Sequence, residues 1–223
     1  MNKNALAVVV AAVLGIAALP AEASYIGSLG FPMKNGANAL EVGYQTGSRE
    51  VEFDGGGEDD LESNGIVIQY GRGLGNGLEF FGRLTPTGEM EFDEGGGDFD
   101  VFGLGAGVRW SPRQQGAFKF GLQVSLDWNQ GDDEDVDIDT KEILLAGGGS
   151  YRVNKNVDAY GGLSLSKLDG TIDFPGGDVD FENGNTFGIF GGFDLKPSPN
   201  FTVGVELRLV NETAFGVTGR FKF

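Results

Sequence analysis

The sequence predicts an all-β fold, a closed antiparallel up-and-down β-barrel of about ten strands, with about eight strands as the alternative. Three observations predict it: apolar and polar residues alternate along most of the chain, the alternating segments are long, and short and long connections alternate between them. Strict alternation is typical of a sheet with one apolar and one polar face. Closing such a sheet into a barrel leaves no unpaired edge.

Alternation is clearest between Phe118 and Trp128, where even-numbered residues are apolar and odd-numbered residues are polar or glycine. The same pattern predicts strands at residues 38–53, 64–72, 77–92, 99–110, 117–129, 138–152, 157–168, 185–195, 200–210 and 214–223. Most reach the roughly 9–11 residues that a tilted transmembrane strand needs, whereas strands of soluble domains average about 5–6 residues. The lengths favour a transmembrane β-barrel over a soluble sandwich. The eight-strand alternative merges or drops the first and seventh segments, where residues such as Lys167 interrupt the pattern.

Two kinds of connection alternate along the chain. Short turns are predicted at residues 73–76, 111–116, 153–156, 196–200 and 211–213, and long acidic loops at 54–63, 93–98, 130–137 and 169–184. Membrane barrels have short turns at one end and longer loops at the other. An apolar–acid–Phe motif followed by glycines and acids recurs around Phe53, Phe92 and Phe174, which indicates a multiplied hairpin.

The first 23 residues have the features of an export signal. Lys3 supplies a positive start, residues 5–19 form an apolar run, and Ala21-Glu22-Ala23 gives a small-residue cleavage site. The run is shorter than the roughly 20 residues of a transmembrane helix. We predict a signal peptide at 1–23 cleaved near Ala23, an N-terminal periplasmic segment at 24–37 and the barrel at 38–223. The pattern leaves open whether 24–37 lies free or tucks into the lumen.

Composition excludes several classes of function. The chain has 33 acidic and 16 basic residues, a net charge of −17, and removing residues 1–23 leaves this unchanged because it takes one base and one acid. Binding nucleic acid needs clustered Lys and Arg, so we predict no nucleic-acid partner. The sequence has no Cys and no His, which excludes disulfides, His-dependent catalysis and the usual zinc sites. We predict that the protein is not an enzyme.

The last ten residues, AFGVTGRFKF, place Phe215, Val217, Gly219, Phe221 and Phe223 on one face and end on an aromatic residue. This ending resembles the C-terminal strand of bacterial outer-membrane β-barrel proteins, a porin-like superfamily of Gram-negative bacteria. The resemblance implies an outer-membrane location with both termini in the periplasm and the acidic loops outside the cell. It implies that Phe221 and Phe223 are the signal read by the barrel-assembly machinery, and that outer-membrane lipid and lipopolysaccharide are partners. It leaves the oligomeric state undefined.

The polar face of the predicted strands lines the lumen with charges of both signs. Its charged residues are Glu41, Glu79, Arg83, Arg109, Lys119, Asp127, Glu142, Arg152, Asp194, Glu206, Arg208, Arg220 and Lys222. Selective pores carry rings of one sign, whereas mixed charges in a low-dielectric interior pair into networks. This balance favours a narrow or closed lumen and a structural or surface-interaction role. Lumen-facing glycines leave space, so a small-solute porin is the alternative.

Acidic residues crowd the predicted loops, most densely at Asp132, Asp133, Glu134, Asp135, Asp137 and Asp139. Hard cations prefer clustered carboxylate oxygens, so Ca²⁺ or Mg²⁺ binding is one interpretation. The run lacks the glycine and terminal glutamate of an EF-hand, and solvated surface loops are the favoured interpretation. Apart from these divalent cations, no cofactor is predicted.

Overall fold

The computed structural model describes residues 26–30, 33–93, 97–112, 116–133 and 135–223, so the predicted signal peptide lies outside the described residues. In these ranges one antiparallel sheet contains eleven strands. They are β1 (Asn38–Phe53), β2 (Glu58–Gly75), β3 (Leu78–Phe92), β4 (Asp98–Trp110), β5 (Phe118–Asp133), β6 (Val136–Arg152), β7 (Val157–Phe174), β8 (Gly177–Asn183), β9 (Phe187–Ser198), β10 (Phe201–Leu209) and β11 (Thr213–Lys222). Within the same ranges, no helix has the length and apolar character needed to cross a membrane.

The sheet closes because its last strand pairs with its first. β11 and β1 are antiparallel partners from Ala39 with Lys222 to Ser48 with Thr213. The closed ring runs through β1 to β7 and then β9, β10 and β11. This arrangement confirms the predicted all-β barrel of about ten strands.

The two ends of the barrel are built differently. The proximal end holds Asn38 and Phe223, whose backbones exchange two hydrogen bonds of 2.9 Å. Toward the opposite, distal end, β7 pairs with β9 as far as Leu165 and with β8 from Asp169 onwards. β8 then pairs with β1, beyond the point where the β10–β11 hairpin ends. The barrel therefore narrows from the ten-stranded ring to a distal ring of β1 to β8, which we call the distal extension.

Asn183 bridges the step between β8 and β9. Its Oδ1 accepts a hydrogen bond from the Leu168 amide at 2.9 Å. Its Nδ2 donates to the Ser166 carbonyl at 3.0 Å and to the Asn185 carbonyl at 2.7 Å. Buried backbone groups need partners, and here one side-chain amide supplies them where the strand ladder is interrupted.

An apolar belt covers the outer surface of the proximal and middle barrel. Its exposed side chains include Tyr70, Phe80, Leu104, Trp110, Phe118, Leu126, Ile143, Leu163, Phe193 and Leu207. Residues of the opposite parity point into the lumen and are mostly buried and polar. Apolar outside and polar inside is the arrangement that a lipid bilayer selects.

In the distal extension the two faces of the sheet exchange character: the outer face becomes acidic and the inner face apolar. In β6, Ile143 and Leu145 are exposed, whereas Ile138, on the other parity, is buried and Asp137 is exposed. In β1, the buried Val51 lies between the exposed Glu50 and Glu52. An acidic outer wall around an apolar interior is the arrangement of a water-soluble barrel.

The prediction of long acidic loops is therefore wrong for most of these residues, because they form strands. Residues 58–63, 130–133, 169–174 and 177–183 belong to strands, and β8 was not predicted at all. Acidic side chains need water, and the outer face of a strand beyond the apolar belt supplies it as well as a loop does. The true tips are tight, as at Gly55, Gly56 and Gly57, which all have positive φ angles.

Candidate functional site in the lumen

The interior of the barrel is filled in three successive layers. The first is an N-terminal segment in the proximal half, the second is a network of buried charges, and the third is an apolar core in the distal extension. The second and third layers are built mainly from residues on the lumen-facing parity of the strands, and the first layer packs against such residues. Together they decide whether a solute can pass.

Residues 26–30 form the first layer, which we call the proximal segment. The Ile26 and Gly27 amides donate to the two carboxylate oxygens of Glu206 at 3.0 and 2.8 Å. Arg109 Nη2 donates to the Ile26 carbonyl at 2.9 Å. Of the two positions that the sequence leaves open for residues 24–37, residues 26–30 take the one inside the lumen.

An apolar patch on the lumen wall receives the proximal segment. Ile26 and Leu29 are buried against four wall residues. These are Leu144, Ala146, Tyr160 and Phe190. Gly121 permits the close approach, because a Cβ at that position would collide with the Leu29 carbonyl oxygen. The segment thus covers apolar surface that would otherwise face the lumen.

Arg49 is the hub of the charge network. Its two terminal nitrogens lie 3.0 Å from Glu142 Oε1 and 2.9 Å from Glu212 Oε2. Glu142 also accepts a hydrogen bond from the Ser166 hydroxyl, and Arg208 lies 3.1 Å from Glu212. All four charged side chains are less than a tenth exposed. Buried carboxylates and guanidinium groups are tolerated because each is paired.

A second group of charges surrounds the buried Phe81 ring. Arg83 Nη1 contacts both carboxylate oxygens of Asp127 at 3.0 Å, and Arg109 Nη1 lies 3.5 Å from Glu79. The two guanidinium carbons are 5.5 and 5.3 Å from the centroid of the Phe81 ring. These are cation–π distances, so the ring adds attraction as well as volume.

The structure places most of the predicted lumen residues inside the barrel, buried from solvent. The buried ones are Glu41, Glu79, Arg83, Arg109, Asp127, Glu142, Glu206 and Arg208. Arg220 is largely buried and contacts Glu79 and Glu41. Lys119 is half-buried, whereas Arg152 is about half exposed at the proximal rim, where it pairs with Asp158.

Among the described residues, sequence reasoning missed several charged residues of the lumen, including Arg49, Asp158 and Glu212. Arg49 shares the parity of Glu41 in the same predicted strand, so alternation alone could have found it. Asp158 likewise lies on the lumen parity of β7 and is fully buried between Arg152 and Lys196. Glu212 carried no such signal, because it lies in a turn that folds inward rather than in a strand.

The third layer is the apolar core of the distal extension. Its buried members are Val51, Leu61, Met90, Phe92, Phe99, Val101, Ile138, Leu168 and Phe181. The ring of Phe92 lies 5.6 Å from that of Phe181 in an edge-to-face arrangement and 5.6 Å from that of Phe53. Such aromatic pairs add to the stabilisation from buried area. A cavity of about 40 Å³, lined by residues such as Arg49, Arg83 and Leu61, lies between this core and the charge network.

The outer wall of the distal extension is crowded with like charges. One row of direct cross-strand partners from β3 to β8 consists of Glu89, Asp100, Asp132, Asp137, Asp173 and Asp178. Partial burial, together with the carboxylates of Asp93, Glu91 and Asp60, raises the pKa of Glu62. Like charges directly opposite each other destabilise a sheet, so the apolar core has to hold this wall together.

The acidic residues of the predicted cation site do not all lie on one face of the sheet. Asp132 and Asp137 face each other on the outer wall, Asp133 points to the other face, and Glu134 lies outside the described residues. Across the described ranges, no three acidic side chains are arranged to hold a metal ion. Calcium or magnesium binding therefore stays a prediction.

A ring-closed barrel with an apolar outer belt and a polar interior defines an integral β-barrel membrane protein. The chain matches the model of the outer membrane protein beta-barrel domain over residues 8–220, and it belongs to this family. The family and the fold place the protein in the bacterial outer membrane, as the sequence predicted.

The solved structures that the chain resembles are distant from it in sequence. An outer-membrane channel from Pseudomonas putida F1 has 13% identity and a TM-score of 0.52, with 90% of this chain and 100% of that chain covered. OprG from Pseudomonas aeruginosa has 10% identity and a TM-score of 0.46, with 86% and 98% covered. Ail of Yersinia pestis has 15% identity and a TM-score of 0.40, with 85% and 99% covered. No curated protein matches the chain.

Proposed function

We propose that the protein is a sealed barrel that carries a rigid acidic platform for contacts at the cell surface. The observation that carries this proposal is the apolar core of the distal extension, in which Phe92, Phe99 and Phe181 are almost fully buried. A water-filled pore cannot run through a packed core of this kind. Conduction requires only the part of the strands that crosses the membrane. A platform for surface contacts requires strands that continue beyond the apolar belt.

The platform faces outward in this proposal, with the distal end outside the cell. Barrels of this type have short turns on the periplasmic side, and the short turns here are proximal. The wall that would meet the surroundings is the row of acids from Glu89 to Asp178. It suits basic or cation-bridged partners and repels nucleic acid. Catalysis is not part of the proposal, because the chain has neither His nor Cys.

Single-channel recording in a planar bilayer tests the sealing. Refolded protein containing residues 24–223 is expected to give no conductance steps, while a general porin in the same bilayer gives them. A variant lacking residues 24–33 is also expected to stay silent, because the charge network and the distal core remain in place. Its folding is checked by circular dichroism before recording.

Two results would contradict the proposal in different ways. Reproducible steps from the complete protein would make it a small-solute channel. Steps only from the shortened variant would make the proximal segment a removable plug, so that Ile26 and Leu29 rather than Phe181 close the path.

A further inference from the structure

The two ends of the barrel differ in the sign of their charge. The outer wall of the distal extension carries the acidic row described above. The proximal connections between strands contain no acidic residue, and they span residues 76–77, 111–117, 153–156 and 199–200. Lys34, Arg72 and Lys155 are exposed at this end. Because charge of one sign concentrates solutes of the opposite sign, the proximal end attracts anions.

A small cavity lies on the proximal side of the proximal segment. Gly27 and Ser28 line its inner end, and Lys196, Thr202 and Lys222 lie among the side chains of its wall. Its volume is about 30 Å³. A buried water occupies about 10–15 Å³ by this measure, so the cavity has room for a group of a few heavy atoms. Anything larger has to remain outside in the solvent.

Four bases surround the opening of this cavity, and we call them the mouth bases. Lys196 Nζ contacts the Asp158 carboxylate, and Arg152 Nε lies 3.4 Å from the same group. Lys196 is repelled by Arg152, Lys222 and Lys119, so the four bases are close to one another. All four are at least partly exposed. Bases held together at a solvent-accessible opening are stabilised by a shared anion.

The charges deeper in the lumen balance one another. Arg220 contacts Glu79 and lies 3.8 Å from Glu41. Arg109 lies 3.5 Å from Glu79. This layer therefore has two bases and two acids, and it leaves the charge of the mouth uncompensated.

The mouth keeps a positive excess. Among the described residues that line the cavity, the remaining carboxylates are Asp158 and Asp194. Four mouth bases against two acids leave two positive charges even when both acids are ionised. A phosphate monoester carries about −1.5 to −2 charges at neutral pH, whereas a carboxylate carries only one. A phosphate group therefore matches both the charge of the mouth and the size of the cavity.

We propose that the proximal mouth binds the phosphate group of a phosphorylated solute. Lys196 and Lys222 donate to the phosphate oxygens, the Thr202 hydroxyl lines the same cavity as a further donor, and Lys119 and Arg152 add attraction at the opening. The rest of the solute projects from the mouth, on the periplasmic side in the orientation proposed above. The site does not depend on that orientation, because the cavity and its charges are the same in either one.

Isothermal titration calorimetry in neutral detergent micelles tests the site. Inorganic phosphate and glycerol 3-phosphate, titrated at constant ionic strength, are both expected to bind at least about tenfold more tightly than acetate. Lys196→Gln combined with Lys222→Gln is expected to weaken both by at least about tenfold. Lys222→Gln alone leaves both partners of Asp158 in place and is expected to weaken them by about threefold. This single variant decides the question if the double variant does not fold.

Arg72→Gln combined with Lys155→Gln is the matched control. It removes the same charge from the same end of the barrel, but neither side chain lines the cavity. Because exposed charges outside the cavity are screened by salt, it is expected to change the affinity for phosphate by less than about twofold.

Each alternative outcome overturns a stated part of the proposal. Equal affinity for acetate, or unchanged affinity in the lysine variants, removes the phosphate site. An equal loss in the control variant would reduce the effect to the general charge of the proximal end. Binding of inorganic phosphate without glycerol 3-phosphate would exclude a phosphorylated solute. A silent bilayer recording beside any of these results would leave the sealed barrel intact and reject this site alone.

Discussion

Phe181→Ala is expected to destabilise the distal extension by about 3–5 kcal/mol, the usual cost of removing a buried phenylalanine. Phe181 is almost fully buried, its ring contacts those of Phe53 and Phe92, and Gly170 leaves the space in which it lies. The apolar core is the main attraction that opposes the row of like charges on the outer wall. Loss of one central ring should therefore open the extension while the membrane part stays folded.

Limited proteolysis of the refolded protein measures this effect, since cleavage tracks the population of the opened form. Phe174→Ala is the matched control, because Phe174 lies in the same β7–β8 hairpin but is exposed. It should change stability by less than about 0.5 kcal/mol. Equal protease sensitivity of the two variants would show that the distal strands do not enclose a core.

Arg49→Met is expected to cost about 3–5 kcal/mol, because it leaves two buried carboxylates without their shared partner. Glu142 retains the Ser166 hydroxyl and Glu212 retains Arg208, but neither replaces the guanidinium between them. Urea unfolding in micelles, followed by tryptophan fluorescence, gives the free energy of unfolding. Arg152→Met is the control, since that side chain is about half exposed at the rim and Asp158 keeps Lys196 as a partner, so the expected cost is about 1 kcal/mol or less.

A triple variant separates the loss of the pair from the loss of packing. Arg49→Met with Glu142→Gln and Glu212→Gln removes the uncompensated charges and should recover much of the stability. If Arg49→Met alone unfolds at the same urea concentration as the unchanged protein, the carboxylates are hydrated and the middle layer is not sealed.

Alternation predicted the membrane part of this fold because its signal is local. The run from Phe118 to Trp128 indicates a strand, its outer face and its lumen face at once, and the structure bears this out. Its lumen-facing Asp127 is predicted by parity and lies beside Arg83. The partner of Asp127 is not predictable from parity, because it comes from a strand two positions away in the sheet.

The distal extension was misread although its signal is present. Val51 and Phe53 share the parity of Glu41, so an apolar lumen beyond the membrane could have been inferred from β1. A strand predicted from one continuous apolar face instead ends where that face becomes acidic. The narrowing of the ring has no comparable signal, because the contact of Phe181 with Phe53 joins distant parts of the chain.

The proximal segment could not be placed from sequence either. Ile26 and Leu29 lie in a short stretch without periodicity, and the wall residues that pack against them come from three separate strands. Tyr160 and Phe190 are single apolar residues on the mostly polar face of their strands. One such exception in a strand does not indicate an apolar patch. Only the folded barrel brings them together.

Hydrogen exchange in micelles tests most directly whether the strands continue as a folded barrel beyond the membrane. Backbone amides of residues 58–62, 89–92 and 179–182 are expected to exchange as slowly as those within the apolar belt, because they are paired in the sheet and enclose a packed core. Complete exchange of these amides within seconds, beside protected amides in the belt, would show that the acidic segments are mobile loops and would contradict the account.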